Sequence, residues 1–138
     1  MKKEDKFKKE YRDFIRGLNI NELKMITLKA TVEKKFEPPA RILVKDSANY
    51  EIINDNTFEV IQVYNIDAKK DNEDKAGLQV EITYLIKYSI KIPMKKEYFD
   101  AFKDSSLRLH TWPYVRQFIH QITLNMNLPP IILGTLPI

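Results

Sequence analysis

Two histidines, His110 and His120, are the residues best suited by type to proton transfer or metal ligation near neutral pH. They stand ten positions apart, one ahead of a helical stretch and one inside it, and cannot share one helical turn. Neither His-x-x-x-His nor His-x-x-Glu occurs, so no pair is spaced to hold a metal from one helix face. Asp67 and the acids of the 71–74 loop offer oxygens to a hard cation but lack the ligand spacing of a calcium loop. Arg116 lies on the first turn after Pro113. It suits an ion pair with an acid of a neighbouring strand or chain better than an anion site, because a cation there opposes the helix dipole. The chain has no cysteine, which excludes thiol chemistry, disulfides and cysteine-ligated zinc. Its three glycines are too few for a glycine-rich phosphate loop. These residues point to structural histidines and to a protein that is not an enzyme and holds no metal.

The elements that would position such side chains are legible in the hydropathy pattern. With 138 residues the chain is expected to form one domain, residues 1–138, with a helix over about 4–18 ahead of its sheet. Phe7, Tyr11, Phe14, Ile15 and Leu18 fall on one helical face, and the other face mixes lysines with acids. From Leu23 to Phe36 the period becomes two, with Ile26, Leu28, Ala30 and Val32 facing one way. Pro38-Pro39 favours an extended connector over a tight hairpin turn. A second strand over 41–45 is expected to bulge or bend at Asp46-Ser47-Ala48-Asn49 and resume near Tyr50. A third covers 58–68, and the 69–77 stretch is an exposed tip. Residues 78–92 alternate most cleanly, one face apolar and one wet, which argues antiparallel pairing. A short helix over 95–103 follows. The predicted fold class is therefore α+β, a four-stranded antiparallel sheet with helices packed on it.

The last helix is the longest apolar feature. Pro113 suits a first helical position, with Thr111 as cap, and Val115, Phe118, Ile119, Ile122 and Met126 recur at helical spacing. Asn127-Leu128-Pro129-Pro130 stops it, and the apolar tail from Ile131 to Ile138 follows. The opening Trp112-Pro113-Tyr114-Val115-Arg116 and the closing Leu128-Pro129-Pro130-Ile131-Ile132-Leu133, after a long β region, resemble the main helix of SecB, the bacterial protein-export chaperone family. The resemblance covers roughly residues 23 to 133.

That resemblance implies an ATP-independent chaperone. It would hold unfolded or partly folded polypeptides in hydrophobic grooves, for export or for a dedicated client such as an antitoxin. It also implies a homo-oligomer, a dimer of dimers, in which Trp112, Val115, Phe118, Ile119, Ile122 and Met126 lie in the assembly interface. Phe36, Ile42, Val44, Ile132 and Leu133 would border the client groove, and no cofactor or nucleotide would be needed. Three departures stand out: the net charge of +4 where the family is usually acidic, the missing second C-terminal helix and acidic tail, and the added N-terminal helix. The first two weigh against docking to the SecA translocation motor. A non-chaperone adaptor binding one folded partner is the alternative. A basic nucleic-acid binder is a further one, disfavoured because Tyr84 and Tyr88 share a face with isoleucines and do not alternate with bases. No signal peptide and no apolar run long enough for a bilayer is visible, so a cytoplasmic protein without membrane insertion is expected.

Overall fold

The structure is a computed structural model and describes residues 2–37, 40–70, 73–129 and 131–134. The elements run α1 (Lys3–Arg16), β1 (Asn19–Val32), β2 (Arg41–Asn54), β3 (Thr57–Lys69), β4 (Leu78–Ser89), α2 (Lys96–Lys103) and α3 (Ser106–Asn125). The four strands form one antiparallel sheet in the order β1-β4-β3-β2. β2, β3 and β4 make a meander, and β1 crosses to the far edge to pair with β4. Both β1 and β2 are therefore edge strands.

Alternation fixes which face is buried. Phe58, Val60, Tyr64, Ile66 and Ala68 of β3, with Leu78, Val80, Ile82, Tyr84, Ile86 and Tyr88 of β4, turn to the helix side and are almost fully covered. Phe99 and Phe102 of α2, with Leu107, Trp112, Val115 and Ile119 of α3, close over them. The opposite face carries ion pairs, with Lys87 reaching Glu22 and Glu59 and Lys29 reaching Glu81. α1 packs through Phe14, fully buried and stacked on Tyr98 at 4.9 Å between ring centres.

Several elements differ from the pattern reading. β1 spans Asn19–Val32, and a register shift between Met25 and Thr27 leaves Ile26 outside the ladder. That bulge places Met25 opposite Tyr84, on the helix face, where strict alternation put it on the other side. β2 does not bend at Asp46; it pairs with β3 from Arg41 through Asn54. Asp46 can face inward within a straight strand because Arg108 meets it with two hydrogen bonds, 2.8 and 3.2 Å. β4 ends at Ser89, opposite the first residue of β3, and the Ile90 N–H donates instead to the Asn56 carbonyl.

α3 begins at Ser106, seven residues before Pro113, so the proline lies inside the helix and Thr111 is not its cap. The proline removes a bond to the Leu109 carbonyl, but Leu109 and Pro113 both sit on the exposed side, where water can serve that carbonyl. The helix ends in a Schellman turn. Asn127 takes a left-handed φ of 59°, its N–H donates to the Leu124 carbonyl, and the Leu128 N–H donates to the Thr123 carbonyl.

Candidate functional site

The β1–β2 connector has to cross the sheet end, and it does so over the β3–β4 turn. The Glu33 N–H donates to the Gly77 carbonyl at 2.8 Å, and Phe36 lies flat against Gly77. A methyl group on Gly77 would stand 2.1 Å from Cδ1 of Phe36, so only glycine lets the ring seat here. Phe36 is 7% exposed. Its outer side borders a groove of about 660 Å³ shared with Val32, Met126, Leu128 and Pro129, with Glu33, Lys34 and Glu37 at the rim.

A second groove of about 360 Å³ lies along α3, lined by Arg116, Gln117, His120, Ile132 and Leu133. Beside it, residues 131–134 run back antiparallel to the helix. The Ile131 N–H donates to Thr123 Oγ1 (3.2 Å), Arg116 Nε donates to the Leu133 carbonyl (3.1 Å), and Trp112 Nε1 donates to the Gly134 carbonyl (2.8 Å). Leu133 is buried and Ile132 stands out at 77% exposure. Arg116 thus holds backbone, not the acid its charge suggested. Ile42 and Val44 sit half-buried on β2, opposite Ala68 and Ile66, and line neither groove.

No protein-family model and no curated protein matches the chain. Among solved structures, the Mycobacterium tuberculosis SecB-like chaperone Rv1957, in complex with a ChAD peptide from the Rv1956 HigA1 antitoxin, superposes with a TM-score of 0.77. The match covers 91% of this chain and 96% of that one at 14% sequence identity. The fold is SecB-like. A protein of unknown function from Streptococcus agalactiae shares it more distantly, with a TM-score of 0.52 and 9% identity over 86% of this chain and 97% of that one.

Within this SecB-like fold the six apolar positions of the last helix divide. Trp112, Val115 and Ile119 are covered by the chain's own sheet and tail, whereas Phe118, Ile122 and Met126 keep partial exposure. Phe118 joins Leu23, Met25, Tyr84 and Tyr114 around a shallow hollow of about 300 Å³ between β1 and α3. Burial pushes the Tyr84 hydroxyl up to about 12, and it has no hydrogen-bond partner among the described residues. Along the same edge β1 exposes Ile20, Met25, Ile26 and Leu28, each by more than a third.

Of the two histidines, His110 holds a structural position. His110 Nδ1 meets the Tyr88 hydroxyl at 2.9 Å, and desolvation lowers its pKa. His120 is exposed at the α3 groove. Asp67 borders a polar hollow on the outer sheet face with Asn65, Gln79 and Glu81, the last paired to Lys29. No group of three metal-ligating side chains occurs among the described residues.

Sequence reasoning missed a polar cluster between β2, β3 and α3. Gln62, fully buried, donates from Nε2 to Asp46 and to the Tyr64 hydroxyl, and accepts from Thr111 Oγ1 at 2.8 Å. With Thr111 donating to Gln62, the Tyr64 hydroxyl donates to Thr111 at 2.7 Å, which closes a ring of one-way hydrogen bonds. Burial raises the Tyr64 pKa to about 12, so that proton stays in place at neutral pH. Its one legible sign was Gln62, polar in the inward register of an otherwise apolar strand.

Proposed function

We propose that the chain is an ATP-independent chaperone of SecB-like type. It holds unfolded or partly folded polypeptides through apolar grooves, serving export or one dedicated client such as an antitoxin. The observation that carries this reading is the Phe36 groove, in which Val32, Phe36, Met126, Leu128 and Pro129 lie beside the charged Glu33, Lys34 and Glu37. Its mixed lining suits a segment that carries apolar side chains among polar ones. The solved SecB-like chaperone that shares this fold is bound to an antitoxin peptide. In this reading Ile42 and Val44 extend the apolar contact along the β2 edge, where a client strand could add to the sheet.

Self-association belongs to the same reading. The β1 edge with Ile20, Met25, Ile26 and Leu28, and the adjoining Phe118, Ile122 and Met126, form the face through which copies meet, as a dimer and then a dimer of dimers. The assembly acts in the cytoplasm. No described helix is long and apolar enough to cross a membrane.

The test is aggregation of a chemically unfolded client, followed by light scattering without nucleotide. The chain should suppress it at near-stoichiometric ratios. Phe36→Ser should reduce protection severalfold while sedimentation shows the same assembly. Equal protection by the variant would remove Phe36 from the site. Absence of protection, with co-purification of a single folded protein, would turn the reading to an adaptor.

A further inference from the structure

The segment 131–134 is itself an extended polypeptide bound to the face of a helix. Its hold has the features of sequence-tolerant peptide capture. Two side chains of α3, Trp112 and Arg116, donate to successive main-chain carbonyls, those of Gly134 and Leu133. A third, Thr123, accepts a main-chain N–H. Such bonds can be made to any residue, because they read only the backbone. The side chains alternate as in a bound strand, with Leu133 sunk into the core and Ile132 outside. Side-chain type is therefore selected chiefly by the pocket of Leu133, with Ile131 half-buried beside it. Both donors point from one helix face, four residues and so about one turn apart. The furrow also adjoins the open groove at Gln117 and His120, so a longer segment has somewhere to continue.

We propose that the α3 furrow formed by Trp112, Arg116 and Thr123 is a peptide-binding site for extended segments carrying a leucine-like residue, and that residues 131–134 occupy it in cis until a client segment displaces them. The proposal deepens the chaperone reading and rests on it for the identity of the displacing segment. The cis strap screens an otherwise exposed apolar pocket between clients. It also sets a threshold: a strap seated about nine-tenths of the time lowers apparent client affinity about tenfold.

Trp112 is the only tryptophan, and its indole N–H is one of the three anchors, so its emission reports the furrow directly. The full chain and the full-chain variant Leu133→Ser are titrated with the peptide Leu-Pro-Pro-Ile-Ile-Leu-Gly, which copies residues 128–134. The variant should bind the peptide about tenfold more tightly than the unaltered chain, while a peptide with serine for its second leucine should bind neither. Should Leu133→Ser lose its cooperative unfolding transition, Leu133→Ala takes its place in the same titration. Equal affinity in both proteins, or no emission change in either, would overturn the proposal. The readout does not involve client protection. Rebinding without any client holding would sink the chaperone reading and leave the furrow, and client holding without rebinding would do the reverse.

Discussion

Single side chains in this protein matter chiefly through what they are buried against. His110 is half-buried between Tyr88 and Phe102, and desolvation lowers its pKa below the ordinary value of about 6.5. Below about pH 6.5 the unfolded chain therefore binds a proton that the folded chain resists. Stability should be full at neutral pH and fall on acidification, and His110→Gln should flatten that part of the profile. Urea midpoints at pH 7.5 and 5.5 for both proteins check it. Ile119 is a second case. The SecB resemblance implies an assembly role for it, yet it is 1% exposed within one chain. Ile119→Asp should accordingly cost about 4 kcal/mol or more and abolish the cooperative melting transition itself, measured by circular dichroism.

At the level of elements, the strands and helices follow from period and punctuation, and their departures follow from polar groups that pattern reasoning treats as breaks. β4 was legible because Leu78 to Tyr88 alternates without exception on its inner face. β2 reads as broken in the sequence because Asp46-Ser47-Ala48-Asn49 is a run of turn-forming residues, and nothing local reveals that Arg108, 62 positions later, will meet Asp46. α3 was started too late because proline normally opens a helix; exposure of the Leu109 carbonyl's side is a tertiary fact. Phe36 was picked out as groove-lining, but its seat needs Gly77, a partner on another turn that no spacing rule links to it. The ion pair also makes the element-scale prediction. Asp46 is largely buried and Arg108 about one-third exposed, so Asp46→Ala should cost about 2–3 kcal/mol by leaving the guanidinium and Gln62 short of an acceptor. Replacing both Asp46 and Arg108 by leucine should recover much of that loss. Guanidinium unfolding of the single and double variants measures both.

The whole molecule is a sheet covered on one side, with a charged outer face and two open edges. The edges differ. Along most of its length β2 is backed by Tyr50, tilted against Phe99 with ring centres 4.3 Å apart, and by the Asp46–Arg108 pair, and it exposes Ile52 and Ile53 only at its end, whereas β1 exposes Met25 and Leu28 of its helix-side face in mid-strand. In the proposed assembly the β1 edge is thus the place that should be most sensitive. Leu28→Lys, at a position 44% exposed in one chain, should leave the fold intact and lower the molar mass toward that of a monomer. Light scattering behind a sizing column, with melting curves alongside, gives the result. An unchanged mass would move the contact elsewhere on the surface.

The crossing of β1 to the far edge also sets a timetable. Its ladder joins residues as far apart as Asn19 and Ser89, while β3 meets β4 from Ala68↔Leu78 outward. Loops that close over longer stretches form later, so the meander can zip from its hairpin before β1 has any strand to join. Of the strands, β1 leaves the ribosome first and pairs last. Leu23, Ala30 and Val32, which pack against the core in the folded chain, are then bare until β4 is complete, and this chain passes through the same exposed, extended state as the polypeptides it is proposed to hold.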